Sequence, residues 1–158
     1  LKGHLDQVDS AIFSSDGLKL VTSSRDRTVG VWDPNRDQVS MTLKHTHSVD
    51  GVAFSPNGQW LASASRDGYV RLWDADTAQE ILRVEADASD NQSVTFAPDG
   101  RHFAFTRGWS PAICPPAVGS SSSPTSSCST PRDSSASRTV RATARSRRTL
   151  PTRLAPTR

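Results

Sequence analysis

A hydroxyl, an imidazole and a carboxylate, the three groups of a hydrolytic triad, occur in the chain as Ser63, His45 and Asp67. In such a triad the imidazole takes the hydroxyl proton while the carboxylate orients the ring. The same three functions recur forty-one residues earlier as Thr22, His4 and Asp26, and neither hydroxyl sits in a GxSxG-type loop. One active site has no use for two copies of its machinery. The duplication points to hydrogen bonding that holds the fold, and a hydrolase built on that fold is the alternative. His45 and His47 are too few for a metal site, and both cysteines, Cys114 and Cys128, lie in another region. No metal or other cofactor is expected.

The elements that must position these groups are themselves repeated. Residues 10–33, SAIFSSDGLKLVTSSRDRTVGVWD, match residues 51–74, GVAFSPNGQWLASASRDGYVRLWD. Phe13 and Phe54, Gly17 and Gly58, Asp26 and Asp67, and Trp32 and Trp73 are each 41 positions apart, as are His4 and His45. A third copy begins at residues 93–106, SVTFAPDGRHFAFT, with a spacing of 42 from the second, and stops at Arg107. Within each unit, loosely alternating apolar residues predict short strands, and Asp-Gly or Asn-Gly steps predict tight turns between them. The first unit reads as strands at 8–13, 18–23, 28–32 and 38–43, and the second as strands at 49–54, 60–64, 69–73 and 79–84. A four-stranded sheet cannot bury both its faces alone. Sheets recurring at this period cover one another when stacked radially, as in a propeller.

The pairs Gly3-His4 and Trp32-Asp33, repeated as Lys44-His45 and Trp73-Asp74, resemble the WD-repeat β-propeller family over residues 1–106, about two and a half repeats. The resemblance implies an all-β fold, with blades of four antiparallel strands around a central channel, and a non-catalytic platform for other proteins. It also implies a buried tetrad in each blade: His4, Thr22, Asp26 and Trp32 in the first, His45, Ser63, Asp67 and Trp73 in the second. Carboxylate, imidazole, hydroxyl and indole N–H would then satisfy one another, as buried polar groups must. The third unit departs from the pattern, with Asp87 in place of the histidine and Asn91 in place of a strand valine. Family propellers commonly have about seven blades, so the chain is expected to be a piece of a larger propeller whose further blades are among its partners.

Arg25 and Arg66 each precede the tetrad aspartate, and Asp9 and Asp50 each lie sixteen residues before their arginine. The resemblance places such residues on a rim where proteins or peptides dock, with Gln7 and Ser48 as lesser candidates. Exposed ion pairs, worth about 0–1 kcal/mol, are the plainer reading of the same residues, and the two readings are compatible.

Charge divides the chain into two unlike parts. Residues 1–106 hold 10 Lys/Arg against 15 Asp/Glu, net −5, whereas residues 107–158 hold 9 Arg, no Lys and the single acid Asp133, net +8. The expected organisation is therefore blades at 1–43, 44–84 and 85–106, followed by a disordered Ser/Pro/Arg-rich tail at 107–158 too poor in apolar residues to offset its ordering entropy. Three readings of that tail stay open: a basic arm for nucleic acid or anionic surfaces, a linker to another domain, and translation out of frame. Nucleic acid is a partner only if the tail is genuine. No run of about 18 apolar residues exists, so no membrane contact is expected. The chain opens on Leu1, and its start, with any targeting signal, is expected to be missing. Residues 1–106 lack cysteine, and a cytoplasmic, reducing location is expected on that basis.

Overall fold

The computed structural model describes residues 2–36, 39–86, 92–107, 110–115 and 142–144. Strands β1 (Val8–Phe13), β2 (Leu20–Ser24), β3 (Thr28–Trp32) and β4 (Val39–Lys44) form the first antiparallel sheet, each paired with the next in sequence. Strands β5 (Val49–Phe54), β6 (Trp60–Ser65), β7 (Tyr69–Asp74) and β8 (Glu80–Glu85) repeat this meander as a second sheet. The third sheet contains β9 (Val94–Phe96), β10 (Phe103–Arg107) and β11 (Ser110–Cys114). A further strand, β12 (Ala142–Ala144), lies antiparallel along β8.

Each first hairpin is closed by the same local chemistry. Gly17, Gly58 and Gly100 take positive φ (71°, 70° and 67°), which glycine alone adopts without steric cost. Their amides donate to the carbonyls of Ser14, Ser55 and Ala97. In the first two units the serine hydroxyl also accepts the amide at the start of the returning segment, Lys19 at 2.9 Å and Trp60 at 2.8 Å. The register shifts between Val8 and Ser10 and between Val49 and Gly51 also recur.

Successive strand residues face opposite sides, and the second sheet uses both. Leu61 and Trp73 pack with Val21, Val29, Val31 and Leu43 of the first sheet. Their neighbours Ala62 and Leu72 pack with Phe103, Phe105, Ala112 and Cys114 of the third. In the first sheet β2 and β3 are buried almost throughout, while Phe13 at the end of β1 is 61 % exposed, as are Leu5 and Leu18 in the segments flanking β1. The expected all-β stack of antiparallel blades is thus present.

The third unit extends past residue 106. Pairing continues through Arg107, and β11 adds a third strand whose Ala112 and Cys114 are buried against the second sheet. Averaged over the Ser- and Arg-rich segment, the apolar alternation of these few residues disappears, yet it supplies a strand with a core-facing side. The unpaired edge of β8 likewise gains β12, where four strands were expected. Cys114 is disulfide-bonded. Asp87, Asn91 and the remaining tail, with the three readings placed on it, lie outside the described residues.

Gly51 lies hard against the segment leading into β9, where a Cβ would stand 2.8 Å from the Gln92 carbonyl oxygen. Gly51→Ala is expected to lower stability by about 1–3 kcal/mol through overpacking. Gly17→Ala, with open space around its Cβ, is expected to lose only about 1 kcal/mol, for its left-handed backbone. Urea unfolding of the two variants checks the order.

Candidate functional site

In the first sheet, the segment entering β1 brings His4 against the β2–β3 turn. Trp32 Nε1–H donates to Thr22 Oγ1 at 2.7 Å, and His4 Nε2 lies 2.6 Å from the same hydroxyl. His4 Nδ1 lies 2.8 Å from Asp26 Oδ2. The indole needs an acceptor and the carboxylate a donor, so the chain of bonds is satisfied by an imidazole protonated at Nδ1, with Thr22 O–H donating to Nε2. Burial pushes the Asp26 carboxyl up, but hydrogen bonds from Thr28 Oγ1, the Leu5 amide and His4 outweigh it and hold it at about 2. The four expected residues meet here as one connected network spanning a loop, a turn and two strands.

The second sheet repeats two of the three links of that network. Trp73 Nε1–H donates to Ser63 Oγ at 2.8 Å, and Ser63 Oγ lies 2.9 Å from His45 Nε2. Asp67 does not reach the ring. Its oxygens accept from Arg71 Nη1 at 3.1 Å and Nη2 at 2.7 Å, and from Thr46 Oγ1 at 3.0 Å. His45 Nδ1 is buried without a hydrogen-bond partner among the described residues. Arg71 is itself only 4 % exposed. It occupies the position of Gly30 in the first sheet, as the pairings Thr22↔Gly30 and Ser63↔Arg71 show. At Gly30 a Cβ would stand 2.8 Å from Trp32 Nε1, so the first sheet has no room there for a side chain that could draw Asp26 away.

This geometry sets the protonation of both partners. Burial, reinforced by the Arg71 cation, lowers His45 to about 4, with Asp67 and the Leu43 carbonyl pulling weakly the other way. Burial raises Asp67, but the hydrogen bonds and charge of Arg71 more than reverse it. A triad at Ser63 is not formed: Ser63 is fully buried, its oxygen is occupied by the indole, and Asp67 does not orient His45.

The other candidates converge elsewhere. Asp9, Arg25, Asp50 and Arg66 line one cleft of about 320 Å³, with Gln92 and Ser93 of the third sheet on its far wall. Arg25 Nε lies 3.3 Å from both Asp9 oxygens, and Arg66 Nε lies 2.9 and 3.0 Å from those of Asp50. These are the expected ion pairs, but their carboxylates are sheltered: the Asp50 side chain is 7 % exposed and that of Asp9 15 %. Gln7 Nε2 donates to Asp9 at 3.0 Å. Ser48 is buried, with its carbonyl accepting from Ser65 Oγ and the Arg66 amide, so it supports the cleft without facing it. Sequence reasoning missed Arg71. The contrast of Arg71 with Gly30 at one repeat position was the available signal.

The family model "WD domain, G-beta repeat" matches residues 1–33 and 37–74. No curated protein matches the chain in sequence. Among solved structures the chain is similar to one in the crystal structure of the mitotic checkpoint complex, at 26 % identity and a TM-score of 0.64, covering 73 % of this chain and 37 % of that one. It is also similar in fold to a chain of Kuenenia stuttgartiensis hydrazine synthase, at 19 % identity and a TM-score of 0.63, covering 73 % and 34 %. The chain spans little more than a third of the length of either.

Two outcomes follow for the second network. As pH falls through 6.5 the unfolded chain protonates His45 while the folded one resists until about 4. Stability present above pH 6.5 is therefore lost between 6.5 and 4, by up to about 3 kcal/mol. The carboxylate contributions of Asp26 and Asp67 fall away only at lower pH, because both are depressed from 3.8. Urea unfolding at pH 7 and pH 4, with His45→Gln as the flattened control, reads this loss. In Arg71→Gly, Asp67 is released toward the ring, and the His45 pKa is expected to rise in an NMR titration.

Proposed function

Because residues 1–74 belong to the WD-repeat family, we propose that the chain is a non-catalytic protein-interaction scaffold, a piece of a larger propeller, whose partners dock in the cleft between its three sheets. The observation that carries this reading is the convergence of repeat-related side chains at one surface. Asp9 with Arg25 and Asp50 with Arg66 are duplicated positions, and the stacking of the sheets turns them into a single concave site with Gln92. Thr22, His45 and Ser63, by contrast, are buried, with His4 half-buried against Thr22, and their hydrogen bonds tie strand positions together. The similar chain in the mitotic checkpoint complex belongs to an assembly, which favours protein partners over small substrates. On this reading further blades cover the open face of the first sheet around Phe13 and Leu18.

Ser93 is exposed and lines the cleft, and its amide is bonded to Thr106 Oγ1. Ser93→Trp is therefore expected to fill the cleft without unfolding the chain, and to lower the affinity of peptides selected on the full chain by about tenfold or more. Undiminished binding to this variant places docking elsewhere. His45→Ala is expected to lose roughly 1–3 kcal/mol of stability, since Ser63 is left with an unpaired hydroxyl in the core. A stable His45→Ala chain that has lost a hydrolytic activity would instead favour the enzyme reading.

A further inference from the structure

The hydrogen-bond inventory of the four charged side chains decides what chemistry the cleft selects. Asp50 accepts from Arg66 Nε on both oxygens and from the Gln92 amide at 3.3 Å. Asp9 accepts from Arg25 Nε on both oxygens and from Gln7 Nε2. Both carboxylates are thus engaged by the protein's own donors and withdrawn from solvent. Arg25 is the opposite case. Its contact with Asp9 uses only Nε, its two Nη atoms have no hydrogen-bond partner among the described residues, and its side chain is 48 % exposed. Beside Arg25 the Asp9 carboxylate is already engaged while the guanidinium keeps donors open to the cleft, so the group that completes this side of it is an acceptor.

We propose that the cleft receives a carboxylate side chain, Asp or Glu, from a peptide partner, held by the Nη edge of Arg25. The proposal rests on the docking reading above and names the chemistry of that partner. Guanidinium and carboxylate match as parallel pairs of donors and acceptors, and Asp9 on the Nε side holds the plane of the guanidinium in place before the partner arrives. Charge balance favours a carboxylate over a phosphate. The two arginines are matched by two aspartates at the same surface, so the site has no net positive charge to offset the steeper desolvation cost of a dianion.

The test selects peptides from a random displayed library on the full chain and resynthesises the best binders with each Asp or Glu changed to Asn or Gln. The expected result is enrichment in acidic residues, with one acid-to-amide change lowering affinity by about tenfold. Arg25→Gln should abolish that discrimination. Its backbone amide keeps its bond to the Gln7 carbonyl, and circular dichroism verifies that the variant folds. Peptides indifferent to the acid-to-amide change, or discrimination that persists in Arg25→Gln, overturn the carboxylate while leaving the docking site itself, which Ser93→Trp tests separately. Tighter binding of phosphoserine than of Glu at the selected position overturns the choice of carboxylate over phosphate. Failure to select any peptide removes the docking reading, and this proposal with it.

Discussion

A single hydroxyl in each of the first two sheets accepts from an indole and donates to an imidazole, and much of the packing depends on its being satisfied. Thr22 and Ser63 sit on the second strand of their sheets, where apolar neighbours exclude water. A hydroxyl there is tolerated only if both its donor and its acceptor roles are filled. Trp32 and Trp73 on the third strand fill one role, and His4 and His45, from segments outside the sheet, fill the other. The bond geometry therefore ties the strand pairing to the path of the chain entering each sheet. The tryptophan that closes each unit is held edge-on to its histidine at centroid distances of 5.7 and 5.6 Å.

Beyond that shared hydroxyl the two sheets part company. In the first, the carboxylate completes the network and leaves no buried polar atom of it unmatched. In the second, a buried arginine takes the carboxylate and extends it into a charged cluster. Arg71 lies within 3.6 Å of Glu80, which also pairs with Arg83, and both guanidiniums lie about as close to the Tyr69 ring, at 5.5 and 5.4 Å. A buried ion pair offsets its own desolvation only when its geometry is good and its remaining donors are engaged. The double contact with Asp67 and the nearby Glu80 meet that condition, and the uncharged His45 ring is what the exchange leaves behind.

Much of this was legible in the sequence because it was written twice. The 41-residue offset pointed to the strands, the turns and the histidine, hydroxyl and indole that meet in both sheets, and the sixteen-residue offset from aspartate to arginine pointed to both ion pairs. What a repeat cannot show is the effect of a difference between copies. Gly30 and Arg71 occupy equivalent positions, yet only packing reveals that one makes way for an indole and the other captures Asp67. The 110–114 strand was hidden for the opposite reason, because it has no copy and its surroundings are rich in serine and arginine. The convergence of Asp9, Arg25, Asp50 and Arg66 on one cleft depends on how neighbouring sheets stack, which no spacing within a single unit encodes.

The exchange of partners at Asp67 also changes the order in which the two sheets can assemble. The His4–Asp26 bond joins residues 22 positions apart and must wait until the leading segment folds back over a finished turn. The Asp67–Arg71 pair joins residues four positions apart, within one hairpin. Closing the shorter loop loses less chain entropy, and local contacts form early in folding. The carboxylate of the second sheet is thus held within the hairpin of β6 and β7 itself, whereas that of the first also fastens the leading segment through His4.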